Sequence, residues 1–179
     1  MRLLDDEYSK REFLHSLSRA RAELGFELWA YVMMPEHVHL LIYPGDEGAS
    51  VATILEAIQR PASVAILREW RTTMPELAEQ LKVKRSGAKT AYRFWQPGGG
   101  YDRNRFTEEA IIASIEYIHN NPVRRQLVQA STDWPWCSAG QYLDKPSEGI
   151  QVDRYSPTTV ASYGGSGLAR QGRRRVDGR

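Results

Sequence analysis

Residues 31–43 read YVMMPEHVHLLIY, and in them His37 and His39 are separated by the single apolar residue Val38. The run after Pro35 is short, carries the β-branched Val38 and Ile42 and the aromatic Tyr43, and is bounded by Pro35 and by Pro44-Gly45. Those are the marks of a strand. Alternate side chains of a strand share a face, so both imidazoles point the same way from Cα atoms roughly 6.6 Å apart, and two such rings can converge on one divalent cation. A half-buried strand that happens to hold two histidines has the same pattern, and spacing without a third ligand does not separate the two readings.

Immediately upstream, Phe26 to Met34 alternates and is rich in aromatic residues, which reads as a partner strand joined to the histidine strand through Met34-Pro35-Glu36 as a hairpin. Before it, Phe13, Leu14, Leu17, Ala20 and Leu24 fall at helical spacing within residues 6–24, and Gly25 supplies the stop. His15 lies off that stripe and reads as an exposed helix residue. Downstream, Ser50 can cap a helix through Val51, Ile54, Leu55 and Ile58, with an interruption expected at Pro61 and a resumption from Ala62 to Trp70. Residues 71–91 show no sustained period and read as a partly ordered loop, followed by a short strand over Tyr92 to Gln96.

Thr107 opens TEEA, a capping box weakened by Ala at the third helical position but supported by acids in the first turn. The helix carries Ile111, Ile112, Ile115 and Ile118 and is expected to end near Asn121, because the residue before Pro122 is disfavoured in the α region. Tyr117 and Asn121 are four apart and share a face. VRRQLV reads as a further short turn of helix, and the aromatic run DWPWCSAGQY is expected to pack back on the body.

The chain has 179 residues, 41% hydrophobic and 26% charged, which suits one ordinary globular domain over residues 1–143 with a flexible basic tail over 144–179. No apolar run approaches a membrane span and MRLLDDEYSK has no signal-peptide core, so a cytoplasmic location is expected. The single cysteine, Cys137, excludes an intrachain disulfide and a cysteine-rich zinc site, leaving His, Asn, Gln or carboxylates as metal ligands. Charge is uneven. Residues 60–105 hold ten Lys or Arg against four acids, and residues 151–179 hold six Arg against two Asp. Such blocks mark phosphate-binding surfaces or merely solvated loops. On the first reading Lys82, Lys84, Arg85, Lys89, Arg93, Arg103 and Arg105 of the central block, and Arg173, Arg174 and Arg175 of the tail, are the DNA-contacting residues.

Four segments, MPEHVHLL, FWQPGGGYDRN, YIHNNPVRRQLV and DWPWCSAGQY, occur in that order across most of residues 10–143. Together they resemble the REP-associated tyrosine transposases of the HUH superfamily of single-strand DNA nucleases. The resemblance implies an α+β fold, a ferredoxin-like antiparallel sheet with helices packed on one face. Members usually begin with a strand, whereas this chain opens almost directly into helix, so the sheet is expected without that strand. The resemblance also implies His37, His39 and Asn121 as metal ligands, Tyr117 as nucleophile, and single-stranded or hairpin DNA as partner; Mg²⁺ or Mn²⁺ suits such mixed nitrogen and oxygen ligands better than a structural zinc site does, and a monomer and a homodimer are both open. Tyr117 would attack phosphorus and form a 5′-phosphotyrosine intermediate that later religates. The tyrosine hydroxyl needs help from the metal or from a base, for which Glu36 and His119 are the candidates. Two rival readings are a non-catalytic nucleic-acid-binding relic and a small metal-dependent hydrolase that uses water.

Overall fold

The computed structural model describes residues 2–45, 47–84, 90–95, 107–145 and 149–155. The first helix, α1 (Glu7–Leu24), starts where the Asp6 carboxylate accepts the Ser9 N–H at 2.8 Å. It stops at Gly25, whose φ of 70° is a left-handed conformation that costs glycine nothing. Phe13, Leu17 and Ala20 are buried on one stripe and His15 is exposed, as the spacing predicts. Strands β1 (Glu27–Met33) and β2 (Val38–Tyr43) form the antiparallel hairpin, closed by Met34 N–H donating to the His37 carbonyl at 2.8 Å. Among the described residues no strand precedes α1.

The register pairs Tyr31 with Leu40, Val32 with His39 and Met33 with Val38, and it slips between Leu28 and Ala30. That bulge turns both Trp29 and Ala30 to the same side. One side of the hairpin, with Leu28, Tyr31, Met33, Val38, Leu40 and Ile42, joins the core built on α1 and the next helix. The other, with Trp29, Ala30, Val32, Leu41 and Tyr43, joins a second core. This β1–β2 pair therefore has helices on both faces, and a second pair stands apart as its own two-stranded sheet. The fold is α+β with antiparallel strands and helices packed on them, as expected, although helices cover both faces of this pair where one was expected.

Helix α2 (Val51–Thr73), capped by Ser50, runs unbroken through Pro61, where an interruption was expected. An interior proline costs about 3 kcal/mol. Ile54, Ile58, Ala62, Ile66 and Trp70, at successive i+4 positions on both sides of Pro61, are all buried, and about 1.5–3 kcal/mol for each large side chain outweighs that cost. Residues 71–84 and 90–91 also hold more order than their composition suggests. Helix α3 (Pro75–Gln80) has Pro75 in its first turn, and β3 (Lys82–Lys84) pairs with β4 (Thr90–Tyr92). The strand expected over Tyr92 to Gln96 thus lies earlier. Phe94 packs on Trp70 with ring centroids 5.4 Å apart, which seats this hairpin in the α1/α2 layer.

Helix α4 (Glu108–Arg124) is capped by Thr107 and passes through Pro122 instead of ending near Asn121. Asn121 and Pro122 are both buried, so the favourable packing of the last turn overrides the local preference against a helical residue before proline. The end is a Schellman-type closure: Gln126 adopts φ 56°, its N–H donates to Val123, and Leu127 N–H donates to Pro122. VRRQLV is thus the end of α4 rather than a separate turn of helix.

The aromatic run packs back on β1, as expected, and lies along the edge of β1 away from β2. Met33 N–H donates to Trp136 O at 2.9 Å, Val32 bridges Cys137, and the Trp134 indole donates to Met33 O at 2.8 Å. Residues 149–155, in the stretch expected to be a flexible tail, dock on the same edge. Asp153 N–H donates to Leu28 O, its carboxylate accepts the Leu28 N–H, and Arg21 grips that carboxylate at 2.5 and 2.6 Å. Residues 146–148 and 156–179 lie outside the described residues.

Candidate metal and nucleophile site

His37 and His39 leave the hairpin on the face that α4 covers. Their Nε2 atoms are 3.1 Å apart, with the rings nearly perpendicular. Helix α4 buries Ile111, Ile115 and Ile118 against Ala30 and Val32, and this packing brings the neighbouring stripe of the helix, Tyr117 and Asn121, over the histidines. The Asn121 amide lies 3.1 Å from His39 Nε2 and is 7% exposed. The Tyr117 ring meets His39 edge-on at 5.5 Å, and the residue is 46% exposed. Arg124 holds its guanidinium 5.0 Å above that ring.

Electrostatics keep the rings neutral. Burial pushes the His39 pKa from its ordinary 6.5 to about 4, with His37 adding to the shift, and burial also lowers His37 against the opposing pull of Glu36. Neutral imidazoles keep the lone pair that a metal needs. Two nitrogen donors at right angles about a cation with bonds of about 2.1 Å stand about 3 Å apart, which the imidazoles match. Turning the Asn121 amide over would add an oxygen. Two nitrogens and one oxygen would then face one point, with further positions open. Among the described residues no group of three or more His, Cys, Asp or Glu could hold a metal ion.

His119, two residues from Tyr117, points the other way. It is 9% exposed, its Nε2 lies 2.9 Å from Ser138 Oγ, and Tyr142 meets its ring at 5.0 Å. Ser138 Oγ also accepts the Tyr31 N–H at 2.9 Å and lies 3.2 Å from Tyr31 O. All three contacts are satisfied when His119 donates from Nε2 and Ser138 donates to Tyr31 O. This pinned ring has no route to the Tyr117 hydroxyl as a base. Glu36, the other candidate, is paired with Arg125 and lies 3.8 Å from His37 Nδ1.

Of the basic residues, Lys82 and Lys84 are exposed on β3, where Lys82 pairs with Glu79 at 2.5 Å, and Arg93 is exposed just after β4. They belong to the α1/α2 layer, whereas the histidines face α4. Arg85, Lys89, Arg103, Arg105, Arg173, Arg174 and Arg175 lie outside the described residues. Sequence reasoning missed Arg124 and Arg125, although a signal was there: Asn121 and Arg125 continue the Tyr117 stripe at i+4 steps.

A curated protein, the REP-associated tyrosine transposase of Escherichia coli (strain K12), is 25% identical over an alignment of 130 residues that covers 68% of this chain and 59% of that protein. The chain is similar to a REP-associated tyrosine transposase. The resemblance carried by the four motifs thus has a counterpart in overall sequence, although the match spans only 59% of the relative's length. No family model matches the chain. A solved structure of a REP-associated tyrosine transposase bound to a REP hairpin aligns over 87% of this chain and 81% of its own, at 19% identity and a TM-score of 0.41. No helix among the described residues is long and apolar enough to cross a membrane.

Proposed function

We propose that the chain is a metal-dependent single-stranded DNA endonuclease of the transposase type, which cuts and rejoins hairpin DNA through Tyr117. The observation that carries this reading is the meeting of His37, His39, Asn121 and the exposed Tyr117 on one side of the hairpin, from two elements far apart in sequence. The 25% identity to a REP-associated tyrosine transposase supports it.

His37 and His39 through Nε2, and Asn121 through its amide oxygen, would hold Mg²⁺ or Mn²⁺. Bound there, the ion supplies charge neutralisation at the non-bridging oxygens of the scissile phosphate. Tyr117 provides the attacking oxygen: its bond to phosphorus forms, the bond from phosphorus to the 3′ oxygen breaks, and the proton lost by the phenol is balanced by the one gained on the 3′-hydroxyl. The phosphotyrosine conserves the bond energy, so the free 3′-hydroxyl can religate without a nucleotide cofactor. Arg124, over the Tyr117 ring, fits a phosphate at the same place. Lys82, Lys84 and Arg93, together with the basic residues of the loops and tail, would hold the DNA backbone without reading sequence.

The test is a denaturing gel of labelled single-stranded hairpin DNA with Mn²⁺. The unmodified protein is expected to give a detergent-resistant, protease-sensitive adduct, and Tyr117→Phe to bind the DNA but give none. Cutting by the Phe variant would mean that water is the nucleophile, and binding without an adduct by the unmodified protein would mean a relic.

A further inference from the structure

We propose that Glu36 is the positioning residue of the metal site: its carboxylate, held by Arg125, takes the Nδ1–H of His37 and thereby keeps the Nε2 lone pair of that ring turned towards His39 and Asn121. This rests on the metal reading given above. His37 Nε2 faces His39 at 3.1 Å, which leaves Nδ1 on the opposite side of the ring, and there Glu36 Oε1 stands 3.8 Å away. A ring that gives Nε2 to a metal carries its proton on Nδ1, and that proton needs an acceptor to fix tautomer and orientation. At 3.8 Å the contact is not yet a hydrogen bond, and a side-chain shift of about 1 Å makes it one.

The same Glu36 oxygen pairs with Arg125. Arg125 caps the C-terminus of α4, and its N–H donates to the carbonyl of Asn121 at 3.0 Å. Glu36 sits in the turn of the hairpin that carries the histidines. One carboxylate therefore sets the His37 ring and ties the hairpin turn to the end of the helix that supplies the third ligand. A pair this exposed, 55% at Arg125 and 27% at Glu36, contributes little to global stability, so its effect falls on the geometry of the site.

The experiment compares the unmodified protein with Glu36→Ala and Glu36→Gln by calorimetric Mn²⁺ titration, and reads the His37 tautomer in the metal-free protein by long-range nitrogen–proton NMR. Glu36→Ala is expected to bind Mn²⁺ about 10–100-fold more weakly and to lose the Nδ1–H form of His37 with little change in melting temperature. Glu36→Gln keeps an acceptor and should fall between. Unchanged affinity and tautomer in Glu36→Ala would overturn the proposal, and so would complete loss of binding in both variants, which would make Glu36 a ligand itself. An unmodified protein that takes up no Mn²⁺ would overturn the metal reading instead, with the tautomer measurement still deciding the role of Glu36.

Discussion

Acidification from about pH 7.5 to about pH 4.5 should remove a defined part of the stability through His119. Burial holds its pKa at about 4, against 6.5 for an ordinary histidine. Above about pH 6.5 the imidazole is neutral in both folded and unfolded chains, and the shift costs nothing. Below it the unfolded chain takes up a proton that the folded protein excludes, so stability falls until the pH reaches the folded pKa. A displacement from 6.5 to about 4 is worth about 3 kcal/mol in full and roughly 2–3 kcal/mol at pH 4.5. The side chain is 9% exposed, so solvent screening takes little from that figure. His39 shifts in the same direction, but it is half-buried and open to the site, so its share is smaller. Urea denaturation at both pH values, in the unmodified protein and in His119→Gln, isolates the effect because the carboxylates common to both proteins cancel. The glutamine amide can still donate to Ser138 and does not titrate in this range. The unmodified protein should lose about 2–3 kcal/mol more than the variant. Equal losses would refute the reasoning, since they would mean that His119 is protonated in the folded state at no cost, with its contact to Ser138 free to rearrange.

Replacing either His37 or His39 by Ala should abolish both Mn²⁺ binding and cleavage, because one imidazole and one amide are too few ligands for so open a site; unchanged calorimetric affinity would sink the assignment. Pro61→Ala should raise the stability of the protein by about 1–2 kcal/mol in a thermal melt, since α2 already follows a helical path there and gains an N–H for its ladder; a fall would mean that the proline ring itself is needed for packing. Truncation after Tyr155 removes five arginines and should weaken DNA binding evenly across sequences and flatten its salt dependence in titrations at several ionic strengths, whereas a changed hairpin preference would show that the tail reads bases.

Local chemistry wrote several features into the sequence. Asp6 and Gly25 delimit α1 because a carboxylate can cap helical N–H groups and only a residue tolerant of positive φ ends a helix in this way. The two-residue step from His37 to His39 put both rings on one face, and the four-residue step from Tyr117 to Asn121 put both of those on another, since strand and helix periods are fixed by the backbone. Other features were decided only by the fold. Pro61 and Pro122 are breakers by local rules, yet both helices continue, because each proline is flanked by side chains whose burial exceeds the local cost. No pattern within residues 149–155 shows that Asp153 finds Leu28 and Arg21, because its partners lie more than a hundred residues away. The same holds for the site. Periodicity gave two separate pairs, and the packing of Ile111, Ile115 and Ile118 on the bulged strand β1 brought Asn121 to His39 across 82 residues of chain.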